Sequence, residues 1–346
     1  MVLRYHSKLP ELVLPHSLVF HAPSNLMASN ANPCAPLVRR PPPNTDHSAD
    51  LWAPELHALY GRWFIYYAAG NPQLGNKSHR MYVLGGPPAE QDPCHGPWDF
   101  LGPVRGMPNT WAIDGTVFTL HNELFTVWSG WPLNNLNDSD LYQQLFIMKL
   151  ADPVTGASQP VMISQPDHPW EKCHDQNGEH GINEGPQFLV SPNGSWAGIV
   201  YSCSGSWTNE YKMGVLHYRG GDPLDPRAWH KEHQPLIQTA PGGRGPWGPG
   251  HGSFLNLGGE VLSVYHATDN ATDGWENRKA RCQRVVFTEH GPSMGGCCGP
   301  ITNDTNLFIQ GGRVPESEQQ PMQDTQGKSH GLRGMLHAAK EKIRDL

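Results

Sequence analysis

The chain has 346 residues, enough to bury the core of one large all-β domain or of two smaller ones. Glycine (38) and proline (33) are plentiful beside 12 tryptophans, so many turns separate short aromatic runs, a texture of β proteins rather than helical ones. The formal charge of −7, with no clustered basic face, argues against nucleic acid as partner, and no apolar run approaches the roughly 18 residues of a membrane-spanning helix.

Residues 1–45 show little periodicity and end in Arg39-Arg40-Pro41-Pro42-Pro43-Asn44, an extended loop. The first apolar stretch is broken by Pro10, Glu11, Pro15 and His16 and makes a poor signal peptide. Five sequons, at Asn76, Asn137, Asn193, Asn270 and Asn303, suit a secreted chain. The cysteines (Cys34, Cys94, Cys173, Cys203, Cys282, Cys297, Cys298) lack paired CxxC spacing, so one to three disulfides are expected rather than a zinc site.

From Asp50 a grammar of short strands sets in. Trp52–Leu56 (WAPEL) leads through Tyr60-Gly61 to Arg62–Ala69, and Met81–Leu84 follows. Ala112–Phe118 (AIDGTVF), a turn at His121-Asn122, Glu123–Ser129 and Leu145–Leu150 form the next unit. Ile182–Phe188 (INEGPQF), a hairpin at Asn193-Gly194, Trp196–Ser202 and Lys212–Tyr218 form another. His251–Leu255, the Gly258-Gly259 turn, Glu260–His266 and Arg281–Phe287 complete the series. The polar anchors Glu55, Asp114, Glu184 and His251 stand roughly 60 to 70 residues apart, each at the same point of its unit, on its first strand. Repeats of that length predict propeller blades, whose first strands line a central channel and bring the anchors together; a β-sandwich is the alternative. Past Asn303 the pattern stops: 310–346 reads as a polar linker followed by a short helix, leaving 46–309 as the propeller domain.

Two acids on facing blades, Asp114 and Glu184, suit general acid–base work such as glycoside hydrolysis. Trp52, Trp111, Trp128, Trp131 and Trp207 supply indole faces on which sugars stack. WAPEL, GRWFIYYAA, AIDGTVF, NEGPQF and GHGSFL, in this order from about Ser48 to Thr302, resemble glycoside hydrolase family 43, five-bladed β-propeller arabinofuranosidases, arabinanases and β-xylosidases that invert configuration. SADLWAPELH and Asn277–Val285 are most similar to the exo-acting α-L-arabinofuranosidase branch, which implies removal of terminal arabinofuranosyl units from plant cell-wall arabinan or arabinoxylan.

By that resemblance Glu184 is the general acid, and Asp114 the carboxylate that orients it and raises its pKa. His251 is the channel histidine that helps to hold a central calcium or sodium ion through water; no cofactor is required. Trp52, Glu55, Trp128, Arg278 and Arg281 are the expected sugar-binding residues. The resemblance also implies a secreted monomer. It fails at one place: the family's general base is an Asp on the first blade, and no Asp here precedes Asp46. Residues 1–45 are therefore expected to be an altered or misassembled remnant of blade one, and turnover to be impaired. A β-xylosidase and a non-catalytic sugar-binding propeller are the alternatives.

Overall fold

A computed structural model describes residues 41–298 except 94–96, 136–138 and 258. Most of the N-terminal segment, the C-terminal linker and helix, Cys34, Cys94 and the sequons at Asn137 and Asn303 lie outside the described residues.

Each predicted unit folds as an antiparallel sheet whose strands follow chain order. The first holds β1 (Ala49–Leu59), β2 (Arg62–Gly70), β3 (Arg80–Pro88) and β4 (Asp99–Pro103). The second holds β5 (Ala112–Leu120), β6 (Glu123–Gly130), β7 (Gln144–Asp152) and β8 (Thr155–Gly156), with β9 (Val161–Ser164) also paired to β7. A hairpin of β10 (Lys172–Asp175) and β11 (Gly178–Gly181) precedes the third sheet. That sheet holds β12 (Asn183–Val190), β13 (Ala197–Cys203), β14 (Lys212–Tyr218) and β15 (Trp229–Lys231). The fourth is β16 (Trp247–Leu257), β17 (Glu260–Thr268), β18 (Lys279–Thr288) and β19 (Gly291–Ser293).

The hairpins form where turn chemistry allows. Tyr60-Gly61 and His121-Asn122 both have positive φ, the type I′ geometry that matches strand twist. Inner strands β1, β5, β12 and β16 pack in sequence around an axis, as propeller blades do and as two facing sandwich sheets do not. The blades are buried on both faces, so their middle strands are continuous apolar runs. Each seam has its own core: Phe64, Tyr66 and Met81 meet Trp128 and Phe146 between the first two sheets. Phe118, Phe125 and Ile147 meet Ile199 and Leu216 at the next, and Val215 meets Val261 and Tyr265 at the last. Cys173, Cys203, Cys282, Cys297 and Cys298 are free thiols, so no disulfide joins the described residues.

Candidate active site

Every inner strand carries a bulge near its start, and the register jumps across it. The jumps run from Trp52 to Glu55, Ile113 to Thr116, Glu184 to Gln187 and Gly250 to Ser253. The second residue of each bulge is left-handed: Ala53 (φ 39), Asp114 (φ 55), Gly185 (φ 54) and His251 (φ 50). A bulge of this kind re-aims side chains toward the axis. Asp114 and His251 are thus true equivalents, whereas Glu184 stands one position earlier and Glu55 two later. The expectation that all four anchors fall at one point of the unit is corrected: they share the bulge, not the position.

The bulges bring Asp114, Glu184 and His251 together, with one ligand-type atom of each lying within 4.8 Å of the others. All three are buried. Asp114 Oδ2 accepts the Gly185 N–H at 3.1 Å, which ties the second blade to the strand carrying Glu184. Glu184 Oε1 accepts the Tyr211 hydroxyl at 2.7 Å. The Ser202 hydroxyl oxygen accepts the His251 N–H at 2.7 Å. His251 Nδ1 stands 4.0 Å from Asp114 Oδ2, too far for a hydrogen bond.

Burial raises the Glu184 pKa, and the like charge of Asp114 raises it further; the Tyr211 hydroxyl and the Arg278 guanidinium pull it back. Burial likewise raises Asp114, which the Gly185 N–H lowers and Glu55 raises. The site therefore holds a proton on a carboxyl at pH values where an exposed one has lost it. Burial, helped by the charge of Arg278, lowers His251 to about 4, so its imidazole is neutral at neutral pH. Burial keeps the Tyr211 hydroxyl protonated and fit to donate.

The acid strand is braced from behind. Asn183 Nδ2 donates to Glu171 Oε1 at 2.8 Å, and its Oδ1 accepts the Ser164 hydroxyl at 2.6 Å. Glu171 also accepts the Tyr201 hydroxyl and Lys231 Nζ, each at 2.7 Å. This buried pair is fully hydrogen-bonded, which is what makes burying it tolerable.

Other expected residues fall in different places. Arg278, half-buried at the rim, donates from Nη2 to Ser206 O at 2.8 Å, and its charge is felt by Glu184. Trp52 lies at the bulge position matching Glu184 and stacks on His79 at 3.8 Å. Glu55 is 2% exposed and occupied, accepting from Gln187 Nε2 and pairing with His57 Nε2 at 2.8 Å, and its charge is felt by Asp114.

Two expectations are corrected. Trp128 is only 2% exposed and stacks on Phe146 inside the first seam, so it has no face to offer a sugar. Arg281 is fully buried, donating to Asp269 Oδ1 at 2.7 Å and to Cys298 O at 2.6 Å; it ties β17 and β18 to the segment after β19. Tyr211, Ser202 and Glu171 were not foreseen, and no local motif marks them.

The Asp114–Glu184–His251 group is a poor match to a directly bound calcium or sodium ion. A hard cation takes about six to eight oxygens, whereas this set offers one donor atom from each of two carboxyls, which burial and mutual repulsion keep from both being charged, and a nitrogen. A buried carboxyl pair that retains a proton is suited to proton transfer.

A family model described as glycosyl hydrolases family 43 matches residues 20–292. An extracellular exo-α-(1→5)-L-arabinofuranosidase of Streptomyces avermitilis is 32% identical over 258 residues, 71% of this chain and 50% of its own length. α-L-Arabinofuranosidase 43 of Humicola insolens is 32% identical over 260 residues, 72% of this chain and 50% of its own. The chain thus spans about half the length of these curated relatives. The crystal structure of α-L-arabinofuranosidase from Lactobacillus brevis aligns with TM-score 0.66 and 28% identity, covering 77% of this chain and 82% of that one.

Proposed function

The chain belongs to glycosyl hydrolases family 43, and on that premise we propose that it removes terminal α-L-arabinofuranosyl residues from arabinan or arabinoxylan by inverting hydrolysis. The buried Glu184–Asp114 pair carries this reading. Glu184 gives its proton to the leaving oxygen; Asp114, by its charge, keeps that proton in place and, through Gly185, fixes the strand. An inverting pair stands about 6.5–9.5 Å apart to admit the attacking water. Asp114 lies closer to Glu184 than that, which supports a modulating role for it and leaves water activation to another group. Glu184→Gln tests the assignment: turnover of arabinotriose should fall roughly 10²–10⁴-fold. Proton NMR of the first-formed sugar should show the β-anomer; the α-anomer would make Asp114 a nucleophile instead.

A second reading, a propeller that binds arabino-oligosaccharides without cleaving them, is favoured by Asp114 being the acid grouped with Glu184 among the described residues. Saturable sugar binding without product would establish it. The reaction requires no metal; an ion in the channel, calcium or sodium, would be structural. Relatives from two Streptomyces species are named extracellular, which supports secretion of this chain, and a monomer suffices for a site built within one ring.

A further inference from the structure

Beyond the acid, two loops meet around Arg278, whose charge Glu184 feels. One joins β13 to β14 and carries Ser206 and Trp207; the other joins β17 to β18 and carries Trp275 and Arg278. Ser206 links them twice: its carbonyl accepts Arg278 Nη2 at 2.8 Å, and its hydroxyl accepts the Trp275 indole N–H at 3.0 Å. Trp275 is 62% exposed, yet its ring is held by that bond and by an edge contact with Trp207 at 6.1 Å and 72°. Trp207 is itself braced edge-on against His180 at 5.2 Å, three residues before the strand that bears Glu184 begins at Asn183. A lone exposed apolar side chain is ordinary, but an exposed indole whose plane is fixed by a hydrogen bond and by a second indole is a preorganised stacking face.

A general acid stands beside the oxygen that leaves, and Arg278, whose charge Glu184 feels, is joined through Ser206 to Trp275. We propose that Trp275, backed by Trp207, is the platform on which the first sugar of the leaving chain stacks. The C–H-rich face of a furanose or pyranose ring packs on an indole, and Ser206 fixes the ring plane that it meets. This rests on the reading of Glu184 as the acid. It makes Trp275 a selector of chain length and of leaving sugar rather than a part of the reaction.

The test is calorimetric titration of the full chain carrying Glu184→Gln, so that nothing turns over, with α-1,5-L-arabinotriose and with L-arabinose. Adding Trp275→Ala should weaken the trisaccharide roughly three- to tenfold, the span of one aromatic contact, and leave arabinose unchanged. Trp275→Phe, which keeps a ring, should retain most of the trisaccharide affinity. Unchanged trisaccharide binding in Trp275→Ala overturns the platform, and so does equal weakening of both sugars. Failure of the Trp275 chain to bind either sugar overturns the arabinoside reading itself, and the platform with it.

Discussion

Removing the Tyr211 hydroxyl asks directly whether Glu184 holds the working proton. That hydroxyl donates to Glu184 Oε1 at 2.7 Å and stabilises the charged carboxylate, pulling the pKa down against burial and against Asp114. A hydrogen bond to a charged group contributes about 1.5–3 kcal/mol, and one pKa unit corresponds to about 1.36 kcal/mol. Tyr211→Phe should therefore raise the Glu184 pKa by roughly one to two units. The ring, stacked on His266 at 5.6 Å and 8°, stays in place. The assay is reducing-sugar release from arabinotriose across pH, because an alkoxide leaving group needs the proton and a nitrophenolate scarcely does. The alkaline limb of kcat/KM reports the acid in the free enzyme. It should move to higher pH by about one unit or more, with the acidic plateau little changed. An unmoved limb, or one displaced to lower pH, would refute the assignment of the proton to Glu184.

Asp114→Asn removes the like charge that holds Glu184 up, so in the same assay the alkaline limb should move to lower pH. Glu184→Gln should change stability with a definite sign. Burial raises the carboxyl's folded-state pKa, so between the ordinary glutamate range and that raised value the folded state binds more protons than the unfolded state. Stability then falls as pH rises through this window, and glutamine does not share the loss. Thermal melts should coincide near pH 4 and favour the variant increasingly toward pH 8. Trp128→Ala should cost about 3–5 kcal/mol in denaturant unfolding, as a core deletion does, with KM little changed among molecules that fold. Exhaustive dialysis against a chelator should leave kcat within about twofold, since proton transfer at Glu184 uses no metal; a larger loss that calcium restores would contradict this.

Much of the architecture was legible because each blade announces itself: a first strand with a polar residue near its start, a short turn, then an apolar run. The contents of the site were legible only where a residue lay inside a bulge. Asp114 and His251 stood out as polar residues in otherwise apolar strands, and both take the left-handed conformation that the second residue of every bulge shares. Trp128 and Arg281 were misplaced for one physical reason: a blade strand is buried on both faces, so alternation does not say which face meets a seam and which the cleft. Glu55 shows how a bulge defeats counting, since two positions along the strand separate the cleft from the buried pairing with Gln187. Tyr211 was hidden because its partner lies 27 residues away in sequence and nothing around it is unusual.

The two parts of the cleft stand on different supports, and that divides what can change from what cannot. Glu184, Asp114 and His251 sit on inner strands, where a shift of register would break the ladder on which the blade depends. Ser206, Trp275 and Arg278 sit in connections at the rim, outside any ladder. Loops of this kind tolerate insertion and exchange that strands do not. Lineages built on this ring can therefore alter which glycan they accept while the reaction stays fixed, and an engineer seeking a new preference should graft connections and leave the inner strands untouched.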